Sequence, residues 1–249
     1  MVASCHRLHT ASHLHSPTSR KNHQTGATSP ESLLLLGDTR QQIYARGSYV
    51  PLLKIGIGRR HVQLRVNYRT TEQIRSAATA VLRDAEALTG ERLPRNDSIS
   101  LLSGPSPTLH TFPSIAEETA ALAAALCETL ADMEPEDVAV VARTNSQVAF
   151  YANSLSNAGI SAVKLLADGA LGPGVRVATM HRVKGLEYHA IFLVGCSADM
   201  LPQPFKGEDD EAARADHEVR ERRLLYVAMT RARELLWISG PGTLSPLLC

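Results

Sequence analysis

Four short strings in this 249-residue chain gather side chains able to handle phosphate, a nucleobase or a nucleic-acid backbone. They are Gly37-Asp38-Thr39-Arg40-Gln41-Gln42-Ile43-Tyr44, Asn67-Tyr68-Arg69-Thr70-Thr71, the run from Thr179 to Glu187 (TMHRVKGLE) and the run from Glu221 to Arg233 (ERRLLYVAMTRAR). A guanidinium offers a fixed fork of donors to phosphate oxygens. The amide of Gln41 can donate to one oxygen and accept from another, and a tyrosine ring offers a stacking face. Arg231 and Arg233 close a helix-patterned apolar run, a position from which one domain can reach a phosphate held on another. Each string also has a plainer reading. A strand can end in an ordinary polar turn, a helix can begin after a polar loop, and a lone histidine such as His181 is more often structural. The plain reading accounts for Thr70 and Thr71 but not for the Tyr68-Arg69 pair. Leu224, Leu225, Val227, Ala228 and Trp237 read as core.

The elements that must position these strings alternate. Leu33 to Leu36 is apolar at every position, as expected of a strand covered on both faces of a parallel sheet. Thr70 with Gln73 forms a capping-box pattern before an Ala-rich helix running towards Leu88, and Ser114 with Glu117 forms another. Leu122, Leu126 and Leu130 then make an i, i+4 stripe. Strands are predicted at 107–113, 138–142, 162–166, 175–179, 190–194 and 235–239. Helices are predicted at 147–158, stopped by Gly159, and from about 215 to 231, after an acidic loop. Strands alternating with helices imply an α/β domain with a mainly parallel sheet, whose ligands sit at the carboxyl ends of the strands.

Composition narrows the classes. A net charge of +1 means that nucleic acid would be met by local clusters, such as Gly58-Arg59-Arg60-His61, rather than by a global basic field. Cys5, Cys127, Cys196 and Cys249 are scattered without a CxxC pair, against a zinc site or a disulfide framework and in keeping with a reducing compartment. No apolar run approaches a membrane span of roughly 20 residues. Together these point to a soluble, cytoplasmic protein with no membrane partner. Residues 1–30 contain no Asp or Glu and no apolar periodicity, and lack a secretory core. Cys5, His6, His9, His13 and His15 have no regular ligand spacing, so no metal site is assigned to them.

In order and in content, the four strings resemble the later signature motifs of the UvrD/PcrA/Rep-like superfamily 1 DNA helicases. The resemblance runs over residues 33–239 and implies an α/β RecA-like fold: a parallel sheet with flanking helices, of the type found in P-loop NTPases. It implies that Gln41 senses the γ-phosphate and that Tyr44 faces single-stranded DNA. It implies that Tyr68 stacks on adenine while Arg69 contacts the γ-phosphate. Thr179 and His181 would touch the DNA backbone, Glu187 the nucleotide ribose, and Arg231 would be the arginine finger. The string from Asp137 to Asn145 resembles the strand that opens the family's second RecA-like domain, which makes Arg143 a DNA or nucleotide candidate. The implied cofactors of the complete enzyme are ATP and Mg²⁺, and the implied partner is single-stranded DNA.

The sequence also departs from the family. No Gly-x-x-x-x-Gly-Lys-Ser/Thr occurs in it, so the loop that cradles phosphates on backbone N–H groups is absent, and no Asp-Glu pair precedes Gly37 to hold magnesium. Residues 1–31 are therefore expected to be a disordered or non-homologous leader. Residues 32–95 would be a remnant of a first RecA-like domain with a linker, and residues 96–249 the second RecA-like domain. The expected function is the C-terminal part of an ATP-dependent 3′→5′ DNA helicase, inactive alone, with the P-loop domain on a separate chain as one arrangement. The alternative is a non-catalytic fragment that binds DNA or protein.

Overall fold

Short all-apolar runs separated by amphipathic helices fold here into a parallel sheet covered on both faces. The computed structural model describes residues 9–10, 35–36, 41, 43, 66–83, 98–165, 172–207 and 210–248. The chain divides into two compact units, Met1–Gln42 and Ile43–Cys249. In the first, β1 (His9–Thr10) pairs in parallel with β2 (Leu35–Leu36). The strand expected at Leu33 to Leu36 is thus found over its last two residues. Its neighbour comes from the stretch read as a leader. Gly37 to Arg40, Gln42, Tyr44, Gly58 to His61 and the cysteine and histidines before and after β1 lie outside the described residues.

The second unit is built on six strands: β5 (Thr108–Phe112), β6 (Val138–Ala142), β7 (Ala162–Lys164), β8 (Val175–Thr179), β9 (Tyr188–Leu193) and β10 (Ala232–Pro241). Their order is β5-β10-β9-β6-β8-β7, and every pairing is parallel. Every residue of β6 is buried, as a strand must be when helices cover both faces of the sheet. One face carries α2 (Ile115–Thr129) and α3 (Asn145–Asn157), with Leu122, Leu126, Tyr151 and Leu155 packed on Val138, Val140, Phe192 and Trp237. The other carries α1 (Glu72–Val81) and α4 (Glu211–Met229), with Ile74, Ala78 and Val81 in one cluster with Leu224, Leu225, Val227 and Ile191.

The helix starts follow from local chemistry. Ser114 accepts from the Glu117 N–H and donates to its carboxylate, as the spacing predicts. Thr144 and Gln147 form a full capping box at α3, and Gly159 takes a φ of 81° just beyond that helix. At α1 the cap is Thr71 rather than Thr70. Asn67 explains the shift. Its side-chain oxygen accepts from the Arg69 and Thr70 N–H groups while its amide donates to the Thr70 hydroxyl, so Thr70 is already engaged in an Asx turn.

A second, two-stranded parallel sheet pairs β3 (Val66–Thr71) with β4 (Ile99–Leu102). Ser100 ties it together: its hydroxyl donates to Thr70 O and its N–H to the Glu72 carboxylate. The C-terminal half of α4 is buried nearly all round, because it lies between the main sheet and α1. Arg222 fixes that contact by donating to Val81 O at the end of α1 at 3.0 Å, where a cation also suits the helix dipole. No helix among the described residues is long and apolar enough to cross a membrane.

Candidate functional site

The string from Thr179 to Glu187 joins the carboxyl end of β8 to the amino end of β9 by a series of turns instead of a helix. Met180 and Val183 bury themselves on the α1/α4 face, and Gly185 takes a φ of 88° that suits a glycine. The string therefore spans the height of the sheet, about 20 Å for six residues of strand. Its candidate residues fall into two groups at opposite edges.

At the amino edge, Glu187 immediately precedes β9 and Arg231 immediately precedes β10. The two strands are in register there, with Tyr188 beside Ala232 and the Tyr188 N–H donating to Arg231 O at 3.0 Å. Arg69, from β3, pairs with Glu187 at 2.6 Å, and both side chains remain substantially exposed at 45% and 39%. Tyr68 beside it is 70% exposed. Arg231 is buried at 2%. Its Nε donates to Val227 O at 3.1 Å, Nη1 to Leu186 O at 3.4 Å and Nη2 to the Thr230 hydroxyl at 3.3 Å. Burial lowers the Lys184 ammonium pKa from its ordinary value, and the Arg231 charge lowers it further. Arg69 thus pairs with Glu187 while the Arg231 guanidinium, whose charge reaches Lys184, donates to the carbonyl of the preceding Leu186, a grouping of cations suited to an anionic ligand.

At the carboxyl edge, Thr179 ends β8 beside Ala142, the last residue of β6, and Arg143 follows directly. The Thr179 hydroxyl accepts from the Arg182 N–H at 3.3 Å and shapes the turn that carries His181. Burial holds His181 below the usual imidazole range, with the Arg143 charge acting in the same direction and Glu221 opposing. Arg143 is held side-on by Glu221, with Nε at 2.8 Å and Nη2 at 2.6 Å from the two carboxylate oxygens. Burial raises the Glu221 pKa, but the hydrogen bond and charge of Arg143, the Gln203 N–H and His217 together outweigh it and leave it below its ordinary value.

Sequence reasoning anticipated that ligands gather at carboxyl strand ends. The structure puts Thr179, His181 and Arg143 there, but Arg69, Glu187 and Arg231 at the amino ends of β9 and β10. Gln41 is half-buried in the first unit, and Tyr44 lies outside the described residues.

Two residues were not singled out from the sequence. Glu221 has no role of its own in the sequence reading of its string. Glu118, fully buried, accepts from Tyr151 Oη at 2.7 Å, from Gly195 N at 2.9 Å and from the Ser239 hydroxyl. Gln147 links the Glu118 group to the carboxyl edge: its amide donates to Gly195 O, and its oxygen accepts from the N–H groups of Arg143 and Thr144. A signal existed. Glu118 is in helical phase with Leu122 and Leu126, and Glu221 with Leu225 and Ala228, so each acid sits on a buried stripe.

The second unit is thus a six-stranded parallel α/β sheet with cationic side chains at one edge and a polar cluster at the other. Residues 164–241 match the family model of the UvrD-like helicase C-terminal domain. The ATP-dependent DNA helicase PcrA of Staphylococcus epidermidis is 44% identical over 73 residues, which is 28% of this chain and 9% of that protein. PcrA of Staphylococcus aureus is 44% identical over 69 residues, 26% of this chain and again 9% of the relative. The matched stretch thus spans about a tenth of the relatives' length. The fold is similar to the C-terminal domain of a possible DNA helicase from Lactobacillus plantarum. That comparison has a TM-score of 0.56 and 21% identity, and covers 74% of this chain and 92% of the other.

Proposed function

We propose that this chain supplies the C-terminal motor domain of an ATP-dependent 3′→5′ DNA helicase of the UvrD type. In this reading the amino edge meets the nucleotide and the carboxyl edge meets single-stranded DNA. The observation that carries it is the convergence of Arg69, Glu187 and Arg231, from three remote strings, at the adjoining starts of β9 and β10. Tyr68, exposed beside Arg69, is the candidate for stacking on the base, and Glu187 for the ribose. Arg69 and Arg231 are the candidates for the γ-phosphate; Gln41, in the first unit, is the candidate phosphate-sensing amide by resemblance alone.

Arg231 is engaged with acceptors of its own domain. To act as a finger it must exchange at least Leu186 O for a phosphate oxygen, a contact worth roughly 10³–10⁵ in rate where a finger operates. Arg69 must likewise leave Glu187, and an exposed pair of that kind costs no more than about 1 kcal/mol to open.

The donor set fits part of ATP only. The 249 residues hold no phosphate-cradling glycine loop, and the described residues hold no cluster of His, Cys, Asp or Glu suited to a metal. When bound in the complete enzyme, ATP with Mg²⁺ supplies the phosphoanhydride whose hydrolysis drives translocation. A P-loop domain outside these 249 residues must hold that end of the nucleotide. The lack of a cradle equally favours a second reading, a DNA-binding module without hydrolysis. Purified chain is assayed for ATP hydrolysis with oligo(dT), and for oligo(dT) binding by anisotropy over a salt series. We expect salt-dependent binding and no turnover, with turnover appearing when a P-loop domain is added and lost in Arg231→Ala. Clear hydrolysis by the chain alone refutes the assignment of the cradle to another domain. Binding that no P-loop domain renders catalytic leaves the binding-module reading in place.

A further inference from the structure

We propose that Glu221 is a positioning residue for Arg143, holding its guanidinium in the one orientation that offers Nη1 to a nucleic-acid phosphate. The inference rests on the reading of the carboxyl edge as the DNA edge. It assigns that edge a residue from the helix that also leads to Arg231.

Arginine can meet a carboxylate end-on through its two terminal nitrogens, or side-on through Nε and one of them. Here the pair is side-on: Nε to one Glu221 oxygen at 2.8 Å and Nη2 to the other at 2.6 Å. That geometry spends the inner side of the fork and leaves Nη1 without a protein partner among the described residues. Glu221 is itself fixed from behind. The same oxygen that receives Nε also accepts from the Gln203 N–H at 3.1 Å, and Gln203 O receives His217 Nε2 at 2.6 Å. The backbone of Arg143 is fixed as well, its N–H donating to Gln147. With the Glu221 side chain 5% exposed and the Arg143 side chain 15% exposed, the pair is a buried clamp rather than a solvated surface contact. Thr179 ends the neighbouring strand and the Arg143 charge acts on His181, so the held guanidinium lies at the edge where two other DNA candidates gather.

A planar donor fork fixed in advance makes its phosphate contact without the rotamer entropy of ordering a free arginine. The opposite expectation is equally definite. If Glu221 merely cancels the Arg143 charge, removing the acid frees a cation and tightens binding.

The test uses the full chain and fluorescein-labelled oligo(dT), with affinities read over a salt series. Four variants are compared with the unmodified chain: Glu221→Gln, Arg143→Lys, Arg143→Ala and the double variant Glu221→Gln/Arg143→Ala. Positioning predicts that Glu221→Gln weakens binding by about tenfold and lowers the salt slope by about 0.7, the loss of one phosphate contact on a single strand. Arg143→Lys should lose as much, since it keeps the charge but not the fork. The double variant should bind no worse than Arg143→Ala, and thermal midpoints identify any variant that fails to fold. Tighter binding by Glu221→Gln overturns the proposal, as does a loss that persists in the Arg143→Ala background. An unmodified chain with no salt-dependent affinity for oligo(dT) refutes the DNA edge itself. An Arg143→Ala loss without a Glu221→Gln loss refutes only the positioning role.

Discussion

Glu118 gives the sharpest test of how the second unit holds its carboxyl edge. The residue is completely buried on α2, and its carboxyl oxygens receive Tyr151 Oη, Gly195 N–H and the Ser239 hydroxyl. In Glu118→Ala these three donors lose their acceptor in a site closed to water. A buried polar group left unpaired costs about 1–3 kcal/mol. Two of the donors are hydroxyls that can rotate towards other acceptors, so the lower half of the range applies to them. The total is about 3–7 kcal/mol before the small cavity is counted. For a unit of this size about 1 kcal/mol moves the midpoint by 2–4 °C, so a fall of about 6 °C or more is expected. Thermal unfolding followed by circular dichroism, with urea unfolding as a second measure, reads it. The companion variant Glu118→Met/Tyr151→Phe/Ser239→Ala removes acceptor and hydroxyl donors together. It should regain most of the loss, because apolar groups of similar shape replace the network. A fall below about 2 °C in Glu118→Ala, or a triple variant no better than the single one, would falsify the claim that unmet donors carry the cost.

Two further outcomes follow from geometry. Gly195 has a φ of 63°, and a Cβ there would run into the Gln147 amide and the Tyr151 hydroxyl, whereas Gly159 has a φ of 81° with nothing within 4 Å. Gly159→Ala should therefore cost only the left-handed backbone penalty of about 1–2 kcal/mol, and Gly195→Ala clearly more, as compared by urea midpoints. His181 is held below the ordinary imidazole value in the folded state, so the unfolded chain binds its proton first as pH falls. Its contribution to stability is whole above about pH 6.5 and is lost as pH drops through the folded-state value. His181→Asn should flatten the fall in unfolding free energy between pH 7 and pH 5. An unchanged slope counts against the burial of this imidazole.

How far the sequence disclosed this arrangement depends on what each segment had to satisfy. Val138–Ala142 and Val175–Thr179 are found at their expected bounds. β6, buried at every position, needs an unbroken apolar run and leaves no doubt about where it stops. β3 was hidden because Asn67-Tyr68-Arg69-Thr70 has no period-two pattern, and its partner at Ile99–Leu102 is set by Ser100 contacts remote in sequence. Thr70 and Thr71 compete for one capping role, and only the Asx turn of Asn67 decides between them. The division into two edges was illegible for a different reason. TMHRVKGLE reads as one continuous site, and nothing in its composition says that it crosses the sheet as turns rather than as a helix. Glu118 and Glu221 could have been flagged, since an acid in phase with leucines must be buried with its partners. What those partners are is a property of the fold.

The same crossing geometry gives α4 its importance. Glu221 stands near the carboxyl edge and Arg231 lies ten residues on, at the amino edge, about 15 Å away along a helical rise. Between them α4 is buried against the sheet on one side and α1 on the other, and Arg222 ties it to Val81 O. A helix packed all round cannot bend at one end without displacing close-packed neighbours, so it moves as a unit or not at all. On the proposed reading, Arg231 can leave Leu186 O for a phosphate in two ways. Its side chain can turn by itself, with no effect at the other edge. Alternatively α4 shifts along its axis and carries Glu221, and with it Arg143, relative to the strand ends. The shared carboxylate makes the second route consequential, because Glu221 grips the Gln203 N–H as well as Arg143, and a shift of α4 strains both bonds together. The link between the two edges is therefore a packed helix with a charged clamp at one end. Its stiffness can be assessed by whether Arg222→Ala, which removes the tie of α4 to Val81 O, alters oligo(dT) affinity.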